Sequence, residues 1–112
     1  MKIAIVLGTR PEIIKISPVI RELQRRKGNY FVVHTGQHYS YTLDGMLFEQ
    51  LMLPQPEYNL KVGSGSHAEQ TAEILVGIER ILERECPDLL LAEGDTNSTF
   101  AAALAAAKLH VA

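Results

Sequence analysis

Residues 2–12 read KIAIVLGTRPE, and this stretch decides the fold. The run KIAIVL at 2–7 is short and apolar, which is typical of a strand buried on both faces in a parallel sheet. Gly8 ends the run, and Pro11 stands where a helix can begin, since proline suits the first helical position. The stretch therefore predicts a buried strand, a tight turn and a helix over 11–27.

The alternation of strands and helices continues along the chain. Pro18 should kink or break the first helix, because it removes a backbone hydrogen bond. Ser66 with Glu69 has the form of a capping box, which marks a helix start, and that helix should stop near Cys86, the residue before a proline. The remaining predicted elements are a strand beginning at 30–33, a loop at 35–41, a helix at 42–52, a strand at 88–92, a polar turn at 94–99, a helix at 100–108 and the start of another strand at 109–112.

Strands that alternate with helices imply right-handed crossovers and a sheet covered on both faces. The sequence therefore predicts a Rossmann-like, three-layer α/β/α domain with a mostly parallel sheet, in which the strand order is left open. Ligands of such sheets bind beyond the carboxyl ends of the strands. That rule selects residues 8–12, 35–40 and 94–99, and all three segments should lie along one edge.

Composition excludes several classes of protein. A chain of 112 residues fits one domain, 1–112, and 46% apolar residues suit a globular core. The formal net charge is -2 with mixed signs, so there is no basic stripe of a nucleic-acid binder. The apolar run before Gly8 is too short for a signal peptide or a membrane span. The single Cys86 cannot form an internal disulfide, which indicates a reducing compartment and a cytoplasmic protein.

The first strand-to-helix turn is a candidate anion site. Gly8 lets the backbone approach a ligand closely, and a helix start offers free N–H groups and a positive dipole end. Arg10 adds a planar donor for phosphate oxygens, and Lys15 lies about one turn further along. A diphosphate would fit this set, although the turn matches neither a Walker pattern nor GxGxxG. The alternative, equally open from the residues alone, is that Arg10 pairs with Glu12 and Lys15 is solvated.

Two further loops carry candidate residues. Asp95 could orient a sugar hydroxyl or move a proton, or it could serve as a helix cap. A role as helix cap is the favoured interpretation for Thr96, Asn97 and Ser98. His38, beside Gln37, could transfer a proton near pH 7, but a loop histidine bonded to backbone is the more common case. No histidines or acids have metal-ligand spacing. Cys86 lacks a nearby base and is interpreted as structural.

Three motifs together resemble one family. GTRPEIIKISPVI at 8–20, TGQH at 35–38 and GDTNST at 94–99 resemble the non-hydrolysing UDP-N-acetylglucosamine 2-epimerases, in the family's order and spacing. The resemblance implies conversion of UDP-N-acetylglucosamine to UDP-N-acetylmannosamine, through elimination and re-addition of UDP with inversion at C2, without metal or NAD cofactor. It places the site in a cleft between two Rossmann-like domains, as in glycosyltransferase-B enzymes.

The same resemblance assigns residues and partners. By motif position, Asp95 corresponds to a catalytic acid, and the substrate-binding set is Gly8, Thr9, Arg10, Lys15, Gln37, His38 and Asp95. The partner is a UDP-sugar, with no nucleic acid or membrane, and the full-length parent is expected to be a homodimer. The chain would be a truncated N-terminal domain that lacks the second domain, and alone it should be inactive.

Other functions remain compatible with the motifs. A hydrolysing 2-epimerase that releases N-acetylmannosamine and UDP shares the GTRPE and GDT patterns. A glycosyltransferase of the same architecture, or a non-catalytic nucleotide-sugar-binding fragment, is also compatible. Family members activated by substrate carry a second glutamine where this chain has Ser40, and an arginine in the loop that reads KVGSGS at 61–66. We therefore expect no substrate activation of that kind.

Overall fold

The computed structural model describes residues 1–37 and 41–112. Strands and helices alternate along this part of the chain, as the sequence predicts. The elements are β1 (Lys2–Leu7), α1 (Arg10–Arg25), β2 (Asn29–His34), α2 (Tyr41–Gln50), β3 (Tyr58–Asn59), α3 (His67–Glu85), β4 (Leu89–Ala92) and α4 (Asn97–Lys108).

The four strands form one parallel sheet in the order β3-β2-β1-β4. At the centre of β1, Ile5 is aligned with Val32 of β2 and with Leu91 of β4. β1 is therefore flanked on both sides, as its apolar sequence requires. The predicted parallel α/β fold is confirmed, and the strand order comes from the structure alone.

Two apolar cores cover the two faces of the sheet. Because side chains alternate along a strand, β1 contributes to both. On one face Ala4 and Val6 pack with residues of α3 and α4, including Ile74, Ile78 and the buried alanines of α4. On the other face Ile5 and Leu7 pack with residues of α1 and α2, namely Ile13, Ile16, Ile20 and Phe48. The three-layer arrangement follows directly.

Helix α1 continues through Pro18, so of the expected kink or local break the break does not occur. A proline at 18 cannot donate to the carbonyl of Ile14, four residues earlier. The hydroxyl of Ser17 donates to that carbonyl instead, at 2.7 Å. The acceptor is therefore satisfied and the helix is kept.

The starts of α3 and α4 depend on hydroxyl caps. Ser66 caps α3 as predicted, since its Oγ accepts from the N–H of Glu69 at 3.1 Å. α3 ends at Glu85, immediately before Cys86, as expected. Thr96 caps α4, so this helix begins at Asn97 and not at 100. The helix is longer than predicted because the polar residues 97–99 form its first turn.

The predicted start of a strand at 109–112 is wrong for Leu109 and His110, because these two residues close α4. His110 adopts a left-handed φ of 59°, and its N–H donates to Ala107 while the N–H of Val111 donates to Ala106. This double hydrogen bond is a Schellman motif, which terminates a helix. One backbone bond, from Leu90 N–H to the carbonyl of Ala112 at 2.7 Å, reaches the edge of β4.

One short strand is not indicated by the sequence pattern. β3 has two residues, and Tyr58 and Asn59 pair with Val33 and His34 of β2. Two residues are too few for an alternating pattern to be recognised. Among the helices that the structure describes, none is both long enough and apolar enough to cross a membrane.

Candidate active site

Three turns lie together at the carboxyl edge of the sheet, as predicted. They are segments 8–12 and 94–99 and the described part of segment 35–40, which is residues 35–37. Thr35 and Ser98 are buried, and their hydroxyl oxygens lie 2.7 Å apart. Gly8 lies between them, and a Cβ at this position would overlap both hydroxyls. Only glycine fits at this position without a steric clash, and it allows the ends of β1, β2 and β4 to come together.

Glu12 links two of these turns. It is 4% exposed, and its Oε1 accepts hydrogen bonds from the N–H groups of Gly8 at 2.8 Å and Thr9 at 3.1 Å. Its Oε2 accepts from the hydroxyls of Thr96 at 2.6 Å and Thr99 at 3.1 Å. A carboxylate with four donors is well stabilised in a buried position. Glu12 thus joins the start of α1 to the start of α4.

This arrangement corrects one expectation about the first turn. The N–H groups of Gly8 and Thr9 are not free for a ligand, because the carboxylate of Glu12 already occupies them. A side chain of the helix itself therefore serves as the anion at the start of α1. Any external anion at this edge has to depend mainly on cationic side chains.

Arg10 is directed toward Asp44 and not toward Glu12. Its Nε lies 3.7 Å from Oδ1 of Asp44, which belongs to the first turn of α2. The Arg10 side chain is 52% exposed, whereas that of Asp44 is 7% exposed. Asp44 thus forms the buried half of the pair, and the guanidinium remains accessible to solvent.

Asp44 also bonds to a buried histidine. His34, the last residue of β2, is 2% exposed, and its Nε2 lies 2.7 Å from Oδ2 of Asp44. The N–H of Gly36 donates to Nδ1 of His34 at 2.8 Å, so the ring proton belongs on Nε2 and is donated to Asp44. Burial lowers the pKa of His34 below its ordinary 6.5, against the smaller opposing effect of Asp44. The imidazole is therefore neutral at pH 7.

Lys15 faces the other side of β1. Its Nζ lies 3.5 Å from Oε1 of Glu93, the residue that follows β4, and the lysine side chain is 61% exposed. The second oxygen of Glu93 is buried and has no hydrogen-bond partner in residues 1–37 and 41–112. Because Asp44 follows β2 and Glu93 follows β4, Arg10 and Lys15 flank the first turn from opposite sides.

Asp95 is exposed and does not cap α4. Thr96 has that function, and its Oγ1 accepts from the N–H of Thr99. The preceding Gly94 has a φ of 107°, a conformation that L side chains rarely adopt. Within the described part of the chain, Asp95 takes part in no hydrogen bond or ion pair. Its carboxylate therefore lies at the carboxyl edge of the sheet, accessible from solvent.

Gln37 is a buried connector between turns. Its Oε1 accepts from both the N–H and the hydroxyl of Ser98, at 3.0 and 2.5 Å. Its carbonyl accepts from Nε2 of Gln70, whose Oε1 in turn accepts from Asn97. The side-chain oxygen of Gln37 is thus used within the chain. His38 and Ser40 lie outside the described residues.

Sequence reasoning missed the contacts that hold the site together. His34, Asp44 and Gln70 are not indicated by the sequence pattern, Ser98 is interpreted there only as a helix cap, and Glu12 only as a partner of Arg10. A polar residue at the end of a buried strand, such as His34, is the one signal that could have been used. The partner of Glu12 in the other turn, Thr96, is 84 positions away, so no local pattern reveals it.

The edge as a whole combines accessible cations with an accessible acid. Arg10 and Lys15 suit phosphate oxygens, and Asp95 suits a hydroxyl or a proton transfer. No group of three or more His, Cys, Asp or Glu residues is placed to hold a metal ion, as far as residues 1–37 and 41–112 are concerned. The arrangement therefore fits a small polar ligand that carries a diphosphate.

A family model described as UDP-N-acetylglucosamine 2-epimerase matches residues 21–112. The chain belongs to the UDP-N-acetylglucosamine 2-epimerase family. Similar relatives include the UDP-N-acetylglucosamine 2-epimerase of Methanococcus maripaludis, 56% identical over 98% of this chain and 30% of the relative. The enzyme of that name from Methanocaldococcus jannaschii is 51% identical over 99% of this chain and 30% of the relative.

Solved structures of the family have the same fold. A crystal structure of the M. jannaschii UDP-GlcNAc 2-epimerase in complex with UDP-GlcNAc and UDP superposes with a TM-score of 0.95, over 99% of this chain and 31% of that protein, at 51% identity. The chain thus spans about 30% of the length of these family members. The UDP-N-acetylglucosamine 2-epimerase family indicated by the three motifs is confirmed, and the non-hydrolysing subclass stays a prediction.

Proposed function

We propose that residues 1–112 form the first Rossmann-like domain of a two-domain UDP-N-acetylglucosamine 2-epimerase. The observation that carries this proposal is the match of nearly the whole chain to the M. jannaschii enzyme, whose crystal structure contains UDP-GlcNAc and UDP. The position of the candidate residues supports it, since the exposed side chains of Arg10, Lys15 and Asp95 lie at one edge of the sheet.

The proposed reaction is an elimination followed by an addition. The proton on C2 of the sugar is removed, the bond from C1 to the UDP oxygen breaks, and 2-acetamidoglucal and UDP result. UDP then adds back to C1, and a proton returns to C2 from the opposite face. No net oxidation occurs, so the reaction needs no nicotinamide cofactor.

Each candidate residue has a chemical role in this proposal. Arg10 and Lys15 offset the negative charge that develops on the departing diphosphate, and Asp95 exchanges a proton with the sugar. Gly8 and Thr9 are proposed to support the ligand site from within the chain, because Glu12 binds their N–H groups and Gly8 packs against the hydroxyls of Thr35 and Ser98. Gln37 is proposed to hold the turn at Ser98 in place through its buried side chain, and His38 is proposed to contact the ligand.

The reaction is tested on the full-length protein that contains these residues. Incubation with UDP-N-acetylglucosamine in deuterated water should give UDP-N-acetylmannosamine with deuterium at C2, observed by proton NMR. Accumulation of free N-acetylmannosamine with UDP would identify the hydrolysing reaction instead. If neither product forms, the proposal is wrong. The isolated 112-residue chain should give no turnover, because the proposed cleft needs both domains.

Arg10 provides the first test of the site. We expect Arg10→Ala to weaken UDP binding by about tenfold or more, because a charge-assisted hydrogen bond contributes roughly 1.5–3 kcal/mol. Isothermal titration calorimetry of UDP measures the effect. Arg25→Ala, at the other end of the same helix, is the matched control and should bind UDP like the wild type. Equal binding by Arg10→Ala would place the diphosphate elsewhere.

The family resemblance also supports two proposals about the full-length enzyme. We expect a homodimer, which light scattering would detect as twice the monomer mass. We also expect a cytoplasmic enzyme, because the exposed thiol of Cys86 is suited to a reducing compartment. A monomeric mass at micromolar concentration would contradict the first of these expectations.

A further inference from the structure

His34, Asp44 and Arg10 form a chain of contacts that the proposed reaction does not by itself explain. We propose that His34 and Asp44 are positioning residues for Arg10. They hold the guanidinium by its Nε side at the edge of the sheet, so that its terminal nitrogens face the diphosphate of a nucleotide sugar. This inference rests on the proposed function and adds to it two residues that have no other assigned role.

The orientation of Asp44 is fixed from the interior. Gly36 N–H donates to Nδ1 of His34, and Nε2–H of His34 donates to Oδ2 of Asp44. Both side chains are almost fully buried, at 3% and 7% exposed, so neither can turn toward solvent. With one oxygen held by His34, the other oxygen of Asp44 must point toward Arg10.

The second oxygen acts on Arg10 by charge. The distance of 3.7 Å from Oδ1 to Arg10 Nε is that of an ion pair and too long for a strong hydrogen bond. Because burial keeps His34 neutral, Arg10 is the cation that faces the carboxylate of Asp44 among the residues described. The attraction restricts a long side chain that is otherwise half exposed and would sample many rotamers.

The same geometry leaves the functional part of Arg10 accessible. Within residues 1–37 and 41–112 its two terminal nitrogens make no hydrogen bond, and the side chain is 52% exposed. A planar guanidinium anchored through Nε still offers its other donors to phosphate oxygens. Asp44 therefore need not compete with the diphosphate for the same face of Arg10.

A purely structural role is the alternative. His34 and Asp44 connect the end of β2 to α2, and such a bond might be kept only to hold the helix. A buried hydrogen bond between a neutral imidazole and a carboxylate contributes to stability in either role, so a loss of stability does not distinguish the two. The two roles differ in one measurable property, which is the energetic coupling between Asp44 and Arg10.

The test is a double-mutant cycle on UDP binding, measured by calorimetry with the full-length protein. In the wild-type background Arg10→Ala should weaken UDP binding about tenfold or more. In the Asp44→Asn background the same change should weaken binding less than about threefold, because the arginine is no longer positioned. Glu49→Gln, an exposed carboxylate on the same helix, is the control background and should leave the full effect of Arg10→Ala.

His34→Leu provides a second background in case Asp44→Asn folds poorly, as judged by circular dichroism. It removes the donor that orients Asp44, so the effect of Arg10→Ala should shrink there as well. An equal loss in all backgrounds would overturn the positioning role and leave the proposed function intact. No UDP binding by the wild type, or no effect of Arg10→Ala, would instead refute the site assignment and this inference together.

Discussion

At Gly8 the chain passes between the hydroxyls of Thr35 and Ser98, and no side chain fits there. Glu12, four residues further, occupies the N–H groups that a ligand would otherwise use. His34 is buried in its neutral form beneath Asp44. At the scale of single residues, the edge of the sheet is therefore shaped by groups that bind other parts of the chain, while Arg10, Lys15 and Asp95 remain exposed.

Gly8→Ala tests the close approach of the three turns. We expect it to lower the free energy of unfolding by roughly 1–3 kcal/mol, because the added methyl overlaps two buried hydroxyls and forces the turns apart. Urea unfolding followed by circular dichroism measures the loss. Gly45→Ala in α2 is the control, since its added Cβ meets ordinary contact distances and alanine favours helix. A fully stable Gly8→Ala would show that the turns are loosely packed.

His34 predicts a dependence of stability on pH. Its pKa is lowered in the folded state, so the unfolded chain takes up the proton first as the pH falls. The stabilising contribution is complete above about 6.5 and is lost progressively below it. His34→Gln removes this titrating group. In thermal melts from pH 5 to 8, the stability of the variant should therefore fall less below pH 6.5 than that of the wild type. His110→Asn, at an exposed position, should keep the wild-type dependence.

At the scale of elements, local hydrogen bonds decide where each helix starts, continues and ends. The hydroxyl of Ser17 takes over the carbonyl that Pro18 leaves without a donor. Ser66 and Thr96 cap the helices α3 and α4. His110 ends α4 in a left-handed conformation that is more common for glycine. The hydrogen bond of Ser17 explains why α1 is not broken at Pro18, and the Schellman motif explains why Leu109 and His110 do not start a strand.

Glu12 connects two such helix starts, and this predicts the effect of removing it. Glu12→Ala leaves two backbone N–H groups and the hydroxyl of Thr96 without their acceptor, whereas the hydroxyl of Thr99 can still donate to the carbonyl of Glu93. The free energy of unfolding should therefore fall by at least about 2 kcal/mol. Glu12→Gln keeps one acceptor oxygen and should lose less. Denaturant unfolding measures both. The exposed Glu49→Ala should change stability little, and a similarly small loss for Glu12→Ala would contradict the linking role.

At the scale of the whole molecule, the two ends of the sheet have different functions. At the amino end, Lys2 donates to the carboxylate of Glu85 at 2.7 Å, and the hydroxyl of Tyr58 donates to the same carboxylate. These bonds connect β1 and β3 to the end of α3. The carboxyl end carries the exposed charged side chains instead. The contacts at the amino end are thus structural, whereas the carboxyl end combines structural contacts with the exposed charges of the candidate site.

The sequence predicted what depends on local pattern. The buried β1, the Ser66 cap and the end of α3 follow from neighbouring residues and are confirmed. The strand order and the two-residue β3 depend on pairing between distant segments, which periodicity does not describe. The same holds for the site: the motif containing Arg10 was recognisable, whereas the contact of Glu12 with Thr96 required the fold. The roles of the site residues stay predictions.

The four hydrogen bonds of Glu12 have a consequence for ligand affinity. Loops that must be ordered when a ligand arrives reduce the observed affinity, because part of the interaction energy compensates for lost conformational freedom. Here the turns after β1 and β4 are already held to each other by a buried carboxylate. These two turns form a preorganised surface, so their backbone loses little conformational entropy when a ligand binds.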